Sequence, residues 1–141
     1  MEFNKLIPEL SVSDLKKSLE FYTTLLGFKV EYSRPEDKFV FLSYNGSQIM
    51  LEEINHHWET GSLTYPFGRG INFQFNVENV DELEKSLKKQ GYPLFLPMQE
   101  KWRVVQDMLY GVREFLVQDP DGYLLRFAQR LGIRNTNKSP K

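Results

Sequence analysis

Cysteine is absent from this chain of 141 residues, and histidine occurs only as the adjacent pair His56 and His57. The first absence removes disulfides, thiolate nucleophiles and Cys-ligated zinc. Neighbouring residues of an extended strand point to opposite faces, so the histidine pair is poorly arranged to share a metal and reads as two loop residues. Excess charge of one sign is also missing. With 18 Lys and Arg against 19 Asp and Glu, the formal charge of −1 gives no general attraction to nucleic acid or an anionic membrane. No apolar run approaches the length that crosses a bilayer. The start, Met1 to Lys5, lacks the basic-then-apolar form of a secretory leader, so a cytoplasmic setting is expected. There is no nucleophile elbow and no glycine-rich phosphate cradle. Aromatic residues, by contrast, are plentiful: 11 Phe, 7 Tyr and 2 Trp, or 14% of the chain. Most belong to a core, while those beside turns are open to stacking on a ligand.

The second half of the chain repeats the plan of the first. A strand-like run ending at Val12 precedes a helical pattern closed by Gly27 and Phe28; another ends at Val77 and precedes one closed by Gly91 and Tyr92. The two valines are 65 positions apart (12 to 77), the two glycines 64 (27 to 91). Leu15, Leu19, Tyr22 and Leu26 recur at helical spacing and predict a helix over 14–26, with Ser13 as its cap. Asn79, with Glu82 three residues on, caps a second helix over about 80–90. Alternating strands follow each helix, returning through Asn45-Gly46 in the first copy and Asp119-Pro120-Asp121-Gly122 in the second. The second copy holds about a dozen extra residues within 97–111, expected to form an inserted loop. The prediction is an α+β fold of two βαβββ modules, 1–55 and 70–130, within one domain spanning 1–132. A disordered basic tail is expected over 133–141, with fraying from Arg130.

These words, in this order, resemble the vicinal-oxygen-chelate superfamily, which includes glyoxalase I, extradiol dioxygenases and bleomycin resistance proteins. The likeness is greatest to the last group. It rests on Ile7 to Asp14, Lys16 to Tyr22, Leu26-Gly27-Phe28, and Gly111 to Gly122 with its Arg-Glu-Phe-x-x-x-Asp-Pro-Asp-Gly string. The resemblance implies a pseudo-symmetric curled sheet with helices outside and a cleft completed by a second copy of the chain. Metal-dependent members hold a divalent ion with His and Glu side chains. Carried across residue by residue, those positions fall on Ile7, Asn72, Arg126 and Glu52, or Glu53 if the register slips by one. An aliphatic, an amide and a cation stand at three of them, so a metal-free and cofactor-free cup is expected.

The implied function is sequestration of a bleomycin-like antibiotic, or another aromatic, cationic compound, by a homodimer that does no chemistry. In resistance proteins of this kind two aromatic side chains sandwich the drug's flat ring system, and the matching motifs place Phe39 and Tyr110 at those positions. Phe39 reads equally as an inward core ring. Trp102 reads as a pocket wall or as an anchor packed on the sheet. Glu31, Glu36 and Asp37 are candidates to attract a cation, and Arg126 with Glu52 is expected to form an ion pair in the vacated metal site. Two other readings stand beside this one: a divalent-metal lyase, isomerase or dioxygenase, and a non-catalytic module that binds a metabolite.

Overall fold

Strand alternation and turn chemistry produce the same succession of elements twice. The structure, a computed structural model, describes residues 1–136. One compact unit comprises Met1–Gly70 together with Asp119–Tyr123. It contains β1 (Glu9–Val12), α1 (Leu15–Leu19), β2 (Lys29–Arg34), β3 (Phe39–Tyr44) and β4 (Ser47–Glu53). The other comprises Ile71–Gln118 and the chain from Leu124 on, with β5 (Asn72–Asn76), α2 (Val80–Lys89), β6 (Leu96–Val105), β7 (Met108–Gln118) and β8 (Leu124–Asn135). Each unit builds one four-stranded sheet, ordered β1-β4-β3-β2 and β5-β8-β7-β6. In both sheets the first pair is parallel and the rest antiparallel. The repeat is thus a βαβββ module made twice, and the fold is α+β.

Local chemistry explains most boundaries. Asn45 and Gly46 both take positive φ, 49° and 85°, which suits the tight hairpin joining β3 to β4. The Asn79 side chain accepts the Glu82 N–H at 3.2 Å and caps α2, an interaction worth about 1 kcal/mol. The first helix departs from expectation. Its cap is Asp14, which accepts the Lys17 N–H, and beyond Leu19 it widens into a π-helical stretch, Glu20–Leu25, where the Leu26 N–H reaches back five residues to Phe21. Ser13 instead donates its N–H and hydroxyl to the Asp121 carboxylate. Asp14 is also a cap-forming type, so sequence alone did not separate the two.

The expected inserted loop over 97–111 is strand. Its residues lengthen β6 and β7 into a hairpin turning at Gln106 and Asp107. β8 lengthens with them, pairing Ile133, Arg134 and Asn135 with Tyr110, Leu109 and Met108. The chain therefore stays paired well past Arg130, because the longer β7 supplies partners. Of the expected tail, 137–141 lie outside the described residues.

Each sheet packs one face on its helix. Phe28 stacks on Tyr44 at 4.5 Å and meets Tyr22 edge-on at 5.2 Å, which puts Val40, Leu42 and Tyr44 on the helix side of β3. Leu10, Val12, Ile49 and Leu51 bury on that side too. In the second sheet Arg113 reaches Asp81 of α2 at 2.8 Å, so Phe115, Val117, Leu125 and Phe127 face the helix, all at 0% exposure. The alternate residues of each strand form the helix-free faces.

The turn Asp119–Tyr123 belongs with the first unit through buried polar contacts. Asp119 accepts from the Tyr22 hydroxyl at 2.7 Å and from the N–H groups of Asp121 and Tyr123. Tyr123 donates its hydroxyl to the Ser11 carbonyl at 2.8 Å. Burial outweighs these hydrogen bonds and pushes the Asp119 carboxyl up to about 6.

Candidate functional site

On the helix-free face of the first sheet, one row of cross-strand partners crosses from Ser11 through Glu52 and Phe39 to Arg34. Partners in register share a face, so these side chains stand together. Phe39 is 1% exposed, and the Arg34 guanidinium carbon lies 3.9 Å from its ring centroid. Tyr32 extends the platform, 5.1 Å from Phe41 in a stacked arrangement and 6.0 Å from Phe39. A cation over an aromatic ring at an exposed site contributes about 0.5–1 kcal/mol.

Asp37 and Glu9 bear on that guanidinium. Asp37 Oδ2 is 3.4 Å from Arg34 Nε. Burial and then the neighbouring Glu52 charge lift the Glu9 carboxyl above its ordinary value, while Arg34 pulls it down. An open depression of about 540 Å³ shares Asp37 and Glu52 with this group and is lined further by Glu36, Lys38, Asn55 and His57. Glu52 accepts the Asn55 amide at 2.6 Å. Glu53 points the other way: it accepts the Leu15 N–H and pairs with Lys38 at 2.9 Å, both of which hold its carboxyl low. The register ambiguity between the two glutamates thus resolves to Glu52 as the one beside Phe39. Glu31 lies at a β-bulge and accepts the Ser43 hydroxyl, which lowers its carboxyl. His56 pairs with Glu59 at 2.9 Å, and both histidines are exposed.

The helix-free face of the second sheet has a different composition. Glu114, 4% exposed, lies between Arg103 at 3.2 Å and Arg126 at 3.6 Å. Within this unit the carboxylate paired with Arg126 is Glu114, a partner the sequence reading did not name. One strand register links Arg126 to Leu116, the next face position from Glu114, whereas sequence separation hides that proximity. Arg126 Nε is buried without a hydrogen-bond partner among the described residues. Tyr110 shares this face and, with Val105, Arg130 and Ile133, lines a second depression of about 610 Å³.

Trp102 lies on the opposite face, paired with Gly111. Its ring rests flat on that glycine, where an added Cβ would come within 2.6 Å of ring carbons. Arg134 covers its other side at 3.8 Å. Trp102 is thus packed on the sheet and lines neither depression. Among the expected site residues, the structure groups Phe39, Glu52 and Asp37 in the first unit and Tyr110 and Arg126 on one face of the second. Glu31 and Trp102 stand apart from both groups. Arg34 and Glu9 were missed. Arg34 was nonetheless detectable, because the residues closing a hairpin, here Arg34 and Phe39, face the same side.

The register also refines the metal positions. Glu9 and Gln74 are related by the 65-residue offset (9 to 74), and they pair with Met50 and Arg126. The residue equivalent to Arg126 is thus Met50, and Glu52 is equivalent to Ala128. Among the described residues no group of three or more His, Asp or Glu side chains is arranged to hold a metal. No helix among them is long and apolar enough to cross a membrane.

The model of the Glyoxalase/Bleomycin resistance protein/Dioxygenase superfamily matches residues 6–127. A bleomycin resistance protein of Geobacillus stearothermophilus is 32% identical over 134 residues, covering 89% of this chain and 96% of the relative. A lactoylglutathione lyase of Neisseria meningitidis serogroup B is 30% identical over 128 residues, 86% of each chain. Among solved structures, TioX from Micromonospora sp. ML1 superposes with a TM-score of 0.70 at 20% identity, over 92% of this chain and 100% of that one. A member from Alicyclobacillus acidocaldarius gives 0.65 at 21% identity, with 92% of each chain covered. Likeness at such identity concerns the fold.

Proposed function

The chain belongs to the glyoxalase/bleomycin resistance protein/dioxygenase superfamily, and within it we propose a metal-free binding protein that sequesters a bleomycin-like antibiotic without transforming it. The observation that carries this reading is the row on the first sheet, where an aromatic ring already stacks a planar cation with carboxylates around it. That is the chemistry a flat, cationic drug requires. Relatives named as bleomycin resistance proteins over nearly the whole chain support the same class of ligand.

The donor set supports binding without a metal. At the positions matched to the His and Glu of metal-dependent relatives stand Ile7, Asn72, Arg126 and Glu52, and by strand register Met50 replaces Glu52 as the equivalent of Arg126. A hydrocarbon offers no lone pair, a guanidinium repels a cation, and an amide with a thioether is a poor set for Mg, Mn or Zn. These residues do not fit a divalent ion. Exposed apolar side chains on the long strands, Val104, Val105 and Ile133, support a homodimer as the working form.

A thermal-shift titration with copper-free bleomycin, with elemental analysis of the same sample, tests the proposal. Binding to the folded state alone raises Tm in a dose-dependent way, about 2.7 kcal/mol of stabilisation at a hundredfold excess over Kd, with no stoichiometric metal. The Neisseria relative supplies the competing reading. Bound metal at one per chain, with turnover of a glutathione hemithioacetal that chelator abolishes, would establish a lyase instead.

A further inference from the structure

We infer that Arg34 is an internal surrogate ligand: its guanidinium holds the place on Phe39 that a planar cationic group of the ligand takes, and the ligand enters by displacing it. The inference deepens the binding reading above, by assigning the chemical class that the Phe39 face accepts and the group that competes for it.

Phe39 carries no other cation on its ring face among the described residues, and Arg34 meets it at 3.9 Å. Arg34 is held there lightly. Its one ion pair among the described residues, to Asp37, has a 3.4 Å separation, and its side chain is 46% exposed against 57% for Asp37. An exposed pair of this kind contributes little and exchanges readily with solvent. The stack is therefore a local, reversible cover.

The surroundings make the place selective for a cation. If the guanidinium swings out alone, the ring face meets water and Glu9 and Asp37 lose their shared counter-charge. A flat cation entering from the depression that Asp37 and Glu52 line restores both. A neutral flat ring restores only the stacking, and an anion is repelled. Guanidinium, amidinium and protonated heteroaromatic groups meet all the requirements. Arg34 thus acts as a filter: the protein rests with its ring covered, and ligands that do not match the guanidinium in shape and charge fail to displace it.

Isothermal titration of the full chain with phenylguanidinium, and separately with copper-free bleomycin, tests this on four proteins: wild type, Arg34→Ala, Arg34→Lys and the double variant R34A/F39L. Amide spectra establish that each is folded. The expected result is that Arg34→Ala binds phenylguanidinium about two- to fivefold more tightly than wild type. Arg34→Lys, which keeps the charge but not the planar stack, falls between them. The gain disappears in R34A/F39L. Equal affinity of wild type and Arg34→Ala for phenylguanidinium, no binding by either, or a gain that survives loss of the Phe39 ring would each overturn the inference. A gain for phenylguanidinium without bleomycin binding would uphold it and remove the drug. Bleomycin binding with no gain in Arg34→Ala would uphold the drug and remove the surrogate.

Discussion

The helix-free face of the first sheet gathers Glu9, Glu52 and Asp37 around one arginine, Arg34. The second gathers Arg103 and Arg126 around one carboxylate, Glu114, with Lys101 and Arg130 on the same face. The backbones match strand for strand, yet the charge is inverted. The equivalent positions show how: Glu9 corresponds to Gln74, Met50 to Arg126 and Glu52 to Ala128. Burial differs as well. The lone arginine of the first face is largely exposed over a buried ring, whereas the lone carboxylate of the second is buried beneath its cations. A repeated fold thus fixes where side chains point and leaves their chemistry free to diverge.

The sharpest way to separate the two faces is to truncate their aromatic candidates. Phe39→Ala is expected to lower the unfolding free energy by about 3 kcal/mol, because the ring is wholly buried and its loss leaves a cavity. Tyr110→Ala, at a half-buried site lining a depression, is expected to cost about 1 kcal/mol. Urea denaturation of both reads the difference, and equal losses would erase the distinction between a core ring and a rim ring.

The buried carboxyl of the first unit's turn gives that unit a pH signature of its own. Asp119 is raised by burial to about 6 from an ordinary 3.8, so the folded state holds its proton more tightly than the unfolded chain. Its contribution is therefore complete below pH 3.8 and lost as pH rises through 6, a fall of about 3 kcal/mol across that window. Asp119→Asn keeps an acceptor for the Asp121 and Tyr123 N–H groups and should flatten this slope. An unchanged slope between pH 4 and 6.5, measured by chemical denaturation, would mean that Asp119 titrates normally.

The smallest contrast concerns the lone carboxylate of the second face. Glu114→Gln leaves Arg103 and Arg126 without a counter-charge beside a buried amide and should cost about 2 kcal/mol. Glu52→Gln, which keeps an acceptor for Asn55 on a partly exposed strand end, should change stability by less than about 0.5 kcal/mol.

Much of the fold was legible because its signals are local. The Val12 and Val77 repeat, the Asn79 cap and the Asn45-Gly46 hairpin each depend on a few consecutive residues, and the structure contains all three. The long β6–β7 hairpin was misread as a loop because its residues are exposed and charged, with little apolar alternation. It is strand because β8 extends beside β7 to complete the ladder. For the candidate site, motif position named Phe39, Tyr110 and Glu52. The partners that define their setting, Arg34 over Phe39 and Glu114 under Arg126, lie on neighbouring strands and emerge only from register.

Amino-acid order alone determined that this chain makes a βαβββ module twice, since hydrophobic period, caps and turns act over distances shorter than one element. Tertiary structure alone decided which of two adjacent glutamates faces the ring, whether Trp102 lines a pocket or lies on Gly111, and which carboxylate neutralises Arg126. Those outcomes depend on strand register, where a shift of one residue reverses every side chain. Register is settled by packing of the whole sheet, which no short stretch of sequence contains.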